Sequence, residues 1–268
     1  MKHKEYKKLH AEWYELMSDR IDHSKEIDFW SRCIEESGEP VLELGSGTGR
    51  IFIPLLEQGF EIVGLDTSED MMARCFARCQ AKGLKAELHE QSMLAFDLYR
   101  DFGLIFLDSG GLGLFTSDDA IHATFKSVMT HLKPGGLFVF EFQPVPPEVG
   151  EKTQANTEVK WGGDSWNGDW LKGSGDAIIA WRLRRKYDPA THIWEMLFII
   201  EKFINGTLVE TEVNERTGKF FTVNEAVQYA RAAGFKDIRA SDWLTEDPPG
   251  DNSKVITVRC KKPAGRAI

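Results

Sequence analysis

The sequence predicts a doubly wound, mostly parallel α/β sheet with an inserted antiparallel β-sheet, and three observations lead there. From Pro40 to Gln143 short apolar runs alternate with amphipathic stretches, the pattern of strands crossing over through helices. Phe102 to Asp108 is apolar almost without interruption, as a strand covered on both faces must be. After Gln143 the pattern changes to long strand-like runs separated by turn dipeptides, and it returns to α/β near Thr222.

The elements follow in order. Tyr6, Leu9, Trp13, Leu16 and Met17, then Ile27, Trp30, Cys33 and Ile34, recur at three- and four-residue intervals, so the first 39 residues read as helical, with Gly38 as the stop. Pro40 to Gly45 is a strand entering a glycine-rich turn, Arg50 to Gln58 a short helix, and Phe60 to Asp66 the second strand. Ser68 caps a helix running to Lys82, with Glu69 and Asp70 in its positive first turn and Gly83 beyond its end. Lys85 to Glu90 is a third strand and Phe102 to Asp108 the fourth. Ser117 to Leu132 is a helix, Lys133 to Gly136 a turn, and Leu137 to Glu141 the fifth strand.

Beyond Gln143, the prolines 144, 146 and 147 and a tryptophan-rich stretch, Trp161 to Trp170, read as loop. Ala177 to Tyr187, His192 to Ile204 and Thr207 to Arg216 are strands, with Asn205-Gly206 as a hairpin turn. Thr222 to Glu225 is a capping box opening a helix that ends at Gly234. Two last strands lie near Asp237 to Trp243 and Lys254 to Cys260.

Composition narrows the function. The formal charge of −9 disfavours a protein that tracks a nucleic-acid backbone. No apolar run reaches the roughly 20 residues that span a bilayer, and no secretory signal is visible at the basic, polar start, so a cytoplasmic protein without membrane partners is expected. The cysteines Cys33, Cys75, Cys79 and Cys260 lack companion ligands at metal-binding spacing, so no metal is expected and the thiols read as reduced.

Glu43-Leu-Gly-Ser-Gly-Thr-Gly49 lies between a strand and a helix, where glycines let a ligand approach the backbone and the helix amides. The dinucleotide fingerprint breaks at Arg50, where its last glycine belongs, and no Gly-Lys-Ser/Thr follows to make a phosphate loop. Asp66, at the end of the second strand, is placed to accept hydrogen bonds from both ribose hydroxyls of an adenosine lying across the sheet edge. Ser68 already caps the next helix, which leaves Asp66 for that role.

These residues, with Gly64-Leu-Asp66-Thr-Ser, Met71-Met72 and Leu132-Lys-Pro-Gly-Gly136, resemble the class I S-adenosylmethionine-dependent methyltransferases over residues 35 to 143 and 221 to 260. The resemblance implies a seven-stranded Rossmann-like sheet with an antiparallel last strand and S-adenosylmethionine as cofactor. It implies Gly45, Gly47 and Gly49, with Glu43 and Ser46 in the same loop, under the methionine and ribose, and Asp66 on the ribose hydroxyls. Thr67 and Met71 would line the adenine pocket. Ser92 stands where the family carries an acid, so Gln91 or Ser92, beside Met93, would substitute for it. Leu107 and Asp108 would leave the fourth strand beside the sulfonium, and Tyr14 would lie in a helix closing over the cofactor. The chain then divides into an N-terminal helical cap (1–39), a cofactor-binding core (40–143 and 219–262) and an antiparallel insertion (144–218) serving as substrate cap or dimer contact.

Methyl transfer from a sulfonium is an in-line displacement that alignment itself accelerates, so no diagnostic catalytic residue is required. Tyr14, His23 and Asp108 are the candidates near the methyl, and Trp161, Trp166, Trp170 and Arg184 are the substrate candidates of the insertion. Asp108-Ser-Gly-Gly111 replaces the Asn/Asp-Pro-Pro-aromatic sequence of nucleic-acid amino methyltransferases, which favours a small-molecule N or O acceptor. Two other readings stay open: a cofactor-binding sensor or partner subunit without turnover, and a nicotinamide oxidoreductase. The latter is disfavoured by Arg50 and by the lack of a Tyr-x-x-x-Lys pair.

Overall fold

The computed structural model describes residues 6–108, 110–146 and 167–265. Trp161 and Trp166 lie outside them. Two helices open the chain, α1 (Lys8–Ser18) and α2 (Ser24–Ser37). The core then runs β1 (Val41–Leu44), α3 (Phe52–Glu57), β2 (Ile62–Asp66), α4 (Glu69–Ala81), β3 (Glu87–Glu90), β4 (Phe102–Leu107), α5 (Asp118–His131) and β5 (Leu132–Phe142). Four strands of the insertion follow, β6 (Asn167–Lys172), β7 (Ala177–Asp188), β8 (Ile193–Ile204) and β9 (Thr207–Lys219). The chain closes with α6 (Val223–Ala232), β10 (Lys236–Asp242) and β11 (Ile256–Lys261).

The core strands form one seven-stranded sheet in the order β10-β11-β5-β4-β1-β2-β3, in which β11 is antiparallel to both neighbours. Every residue of β1 and β4 is buried, which explains their unbroken apolar sequences. Strand order reverses between β1 and β4, and a doubly wound sheet offers its ligand crevice at the carboxyl ends beside such a reversal. The Lys133 to Gly136 segment is a bulge at the start of β5, because the pairing jumps from Phe102↔Leu132 to Leu104↔Leu137.

The insertion is a separate antiparallel sheet, β6-β7-β8-β9. Part of the tryptophan-rich stretch expected to be loop is its edge strand β6, paired with β7 from Asn167↔Leu183 to Lys172↔Ile178. The inner face of this sheet packs on α1, where Leu9, Trp13 and Met17 meet Ile179, Phe198 and Ile200. Asn205 and Gly206, at φ of 50° and 76°, form the expected tight turn between β8 and β9.

Candidate active site

The site begins where β1 ends. The Gly45 and Ser46 amides both donate to the Leu65 carbonyl, at 2.6 and 3.1 Å, tying the glycine loop to the end of β2. A Cβ on Gly45 would meet nothing nearer than the Met93 methyl at 3.9 Å, so the space above this residue is open. At Gly49, by contrast, a Cβ would fall 2.6 Å from the Cys75 sulfur, so that glycine serves the packing of α3 against α4.

Asp66 faces this loop from β2. Its Oδ2 accepts the Gly47 amide at 2.8 Å and its Oδ1 the Ser68 amide at 2.9 Å. Asp66, which the Ser68 cap was expected to leave for a ribose, thus also holds the backbone around it. These two amides fix the orientation of the carboxylate. Met71 and Met93 flank Gly47 and Gly45, Leu107 is buried, and Thr67 is exposed at the rim.

The segment after β3 departs from expectation. Gln91 Oε1 accepts the Asp97 amide at 2.9 Å and its Nε2 donates to the Asp97 carbonyl at 3.2 Å, so this side chain braces its own turn. The Ser92 hydroxyl accepts the Leu94 amide at 3.3 Å. Both polar groups are engaged locally, which argues against Gln91 as a substitute for the missing acid.

Tyr14, His23 and Asp108 converge, although they come from α1, the α1–α2 turn and the end of β4. Their organiser is Arg50, which ion-pairs with both Asp108 and Glu26. His23 Nδ1 lies 2.7 Å from Glu26 Oε2 and 3.3 Å from the Arg50 guanidinium. Burial pushes the Asp108 carboxyl up while Arg50 pulls it back, and burial with Asp108 pushes the Tyr14 hydroxyl up. Burial works against the Arg50 charge, but Asp108, Tyr14 and Glu26 outweigh it and keep the guanidinium protonated. Sequence reasoning missed Arg50 and Glu26 as site residues because their partners are brought in by the fold from distant positions.

Above this cluster a cavity of about 500 Å³ opens between α1, α2 and the inner face of the antiparallel sheet. Tyr14, His23, Glu26 and Arg50 are among its lining residues, and Arg185, Met196 and Arg216 line it from the strands. Two expected substrate residues are elsewhere. Trp170 is 61% exposed on β6, and Arg184 borders a second groove with Lys186 and Glu195, to which Met196 and Arg216 also contribute. Strand side chains alternate between faces, so the residue next to Arg184 is the one that reaches the cavity.

The comparisons agree with this architecture. A family profile described as a methyltransferase domain matches residues 41–136. A putative methyltransferase of Geobacillus sp. (strain WCH70) is 24% identical over 135 residues, covering 49% of this chain. The chain thus spans 55% of that relative's length. The putative methyltransferase YqeM of Bacillus subtilis (strain 168) is 27% identical over 88% of this chain and 90% of its own. A dTDP-3-amino-3,4,6-trideoxy-alpha-D-glucopyranose N,N-dimethyltransferase of Streptomyces venezuelae is 26% identical over 51% of this chain and 58% of its own. Among solved structures, an S-adenosylmethionine-dependent methyltransferase from Clostridium acetobutylicum ATCC 824 superposes with a TM-score of 0.72 at 18% identity, over 93% of this chain and 95% of that one. The sugar N-methyltransferase KedS8 from Streptoalloteichus sp. ATCC 53650 gives 0.70 at 16% identity, over 91% of each chain.

The residues fit the methyl donor of that family. Glu43, 2% exposed at the base of the glycine loop, has a buried Oε2 without a hydrogen-bond partner, as does the Ser46 hydroxyl. Burial, then Asp108, pushes the Glu43 carboxyl well above its usual range. Carboxyl groups gathered at Glu43, Asp66 and Asp108 suit a ligand whose sulfonium and ammonium are cationic. The fold, the loop and the matched domain agree: residues 41–136 match a methyltransferase domain, and the chain is similar to the class I S-adenosylmethionine-dependent methyltransferases.

Proposed function

We propose that this protein transfers a methyl group from S-adenosylmethionine to an amine of a small molecule held in the cavity beneath α1. The observation that carries this reading is the bridge that Arg50 makes between the cavity and the end of β4. Tyr14, Arg50 and Glu26 line the cavity, and Arg50 is in turn paired with Asp108 at the mouth of the cofactor crevice. When bound, the cofactor would supply an electrophilic methyl for in-line attack by an amine lone pair, with S-adenosylhomocysteine as the leaving group as the carbon–sulfur bond breaks and the amine's proton passing to solvent. The open face above Gly45, the buried carboxyl of Glu43 and the oriented carboxylate of Asp66 would hold the donor. Helix α1 and the antiparallel sheet exclude water and fix the acceptor, and alignment of this kind lowers a barrier by roughly 7–11 kcal/mol in favourable cases. Nitrogen as the nucleophile draws support from the similarity to an amino-sugar N,N-dimethyltransferase and to a sugar N-methyltransferase.

Incubation with S-adenosylmethionine labelled in its methyl group and fractionated cell metabolites tests the proposal. A labelled small amine is the expected product. Binding of S-adenosylhomocysteine without any labelled product would leave a cofactor-binding protein that has no turnover.

A further inference from the structure

We infer that the methyl acceptor is itself an anion, an amine that also carries a carboxylate or phosphate, received by Arg185 and Arg216. This rests on the methyl-transfer reading above and specifies which small molecules the cavity admits. Arg185 on β7 stands opposite Met196 on β8, which stands opposite Arg216 on β9. All three line the cavity, so the two arginine stems rise on either side of one methionine. Two strand spacings separate their backbones by roughly 10 Å, a gap that two long side chains can close on one ligand.

Neither guanidinium has a carboxylate partner among the described residues. Arg185, half-buried, makes one side-chain contact there, from Nε to the Met196 sulfur at 3.4 Å. Arg216 stacks over the Tyr6 ring at 3.6 Å and points Nη2 at the His10 ring at 3.3 Å, while its buried Nε has no partner. His10, held neutral by burial and by Arg216, offers no charge. The nearby acid Glu212 is engaged with the Leu9 and His10 amides and with Asn214. Other half-buried cations of this sheet are paired, Arg182 with Glu201, Lys202 with Glu12 and Lys219 with Glu225. Arg184 and Lys186 are exposed and solvated. A half-buried guanidinium is costly unless matched, and a forked donor matches a carboxylate or phosphate best.

Carboxyl groups line the cavity as well, at Asp22 and at Glu26 beside Arg50. A molecule with an amine at one end and an anion at the other complements both, and Tyr6, Trp13 and Phe198 along the walls receive its body.

The test is calorimetric titration of the protein loaded with S-adenosylhomocysteine, using three probes of one skeleton: glucosamine, glucosamine 6-phosphate and glucosaminate. At least one anionic probe should bind tenfold or more tighter than glucosamine, and which one does separates phosphate from carboxylate recognition. Arg185→Gln should abolish that preference, Arg185→Lys should restore part of it, and S-adenosylhomocysteine affinity should stay within twofold in both. Equal binding of all three probes, or an anion preference that survives in the Arg185→Gln, Arg216→Gln double variant, overturns the inference while leaving methyl transfer intact. Failure of S-adenosylhomocysteine to bind the unaltered protein overturns the underlying reading instead.

Discussion

Arg50 joins Glu26 and Asp108, two carboxylates from separate elements, and brings Tyr14 and His23 to the same place. Close to this cluster a second buried acid carries a consequence for stability. Glu141 on β5 is 1% exposed, its Oε1 lies 3.3 Å from the Thr257 hydroxyl, and burial, then Asp108 and Glu26, pushes its carboxyl up to about 8. An unfolded glutamate titrates near 4.3, so between those values the native state holds a proton that the unfolded chain releases. The stabilisation is complete below the unfolded value and is lost as pH rises through the folded one. Denaturant unfolding should therefore show stability falling, by on the order of 4 kcal/mol from this group, between pH 5 and pH 9. Glu141→Gln should flatten that slope. An unchanged slope in the variant would contradict the assignment.

Among the elements, α1 is the bridge. It reaches the antiparallel sheet through Lys202–Glu12 at 2.8 Å and α4 through Arg74–Glu15 at 3.2 Å. Its first turn lacks a capping side chain of its own, and Glu212 from β9 accepts the Leu9 and His10 amides at 3.0 and 3.2 Å. A carboxylate at a helix N-terminus satisfies orphan amides and meets the positive end of the dipole. Glu212→Ala should loosen α1 by about 1 kcal/mol, read as roughly fivefold faster hydrogen exchange in its first turn with β4 amides unchanged. Equal acceleration in β4 would point to global destabilisation instead. The core elements were legible because each announces itself locally: β1 and β4 as continuous apolar runs, α4 through Ser68, α6 through its capping box. Strand β6 was not, because Asn167-Gly-Asp-Trp170 carries turn-forming residues and pairs only through its neighbour β7. Arg185 was missed because a strand's face is set by register, and one residue's error exchanges the cavity for the second groove. The Glu212 and Arg216 contacts to the start of the chain span about 200 positions, beyond any local signal.

At the scale of the whole molecule, α1 joins the core, through α4, to the antiparallel sheet, and in the proposed reaction each of these two parts receives one substrate. In that proposal the core sheet gathers the carboxyl groups of Glu43, Asp66 and Asp108 for a cationic donor, and the insertion brings Arg185, Arg216 and Phe198 to the acceptor cavity. Ligand linkage follows: S-adenosylhomocysteine at a hundredfold excess over its dissociation constant should raise unfolding stability by about 2.7 kcal/mol. The most direct measurement is calorimetric titration of S-adenosylhomocysteine into the unaltered protein and into Asp66→Asn, which keeps a side-chain carbonyl for the Gly47 amide. Saturable binding that weakens tenfold or more in the variant is the predicted result, since hydrogen bonds to a charged group are worth about 1.5–3 kcal/mol. Equal affinity in the two proteins would contradict the placement of the nucleoside at the β1 and β2 ends.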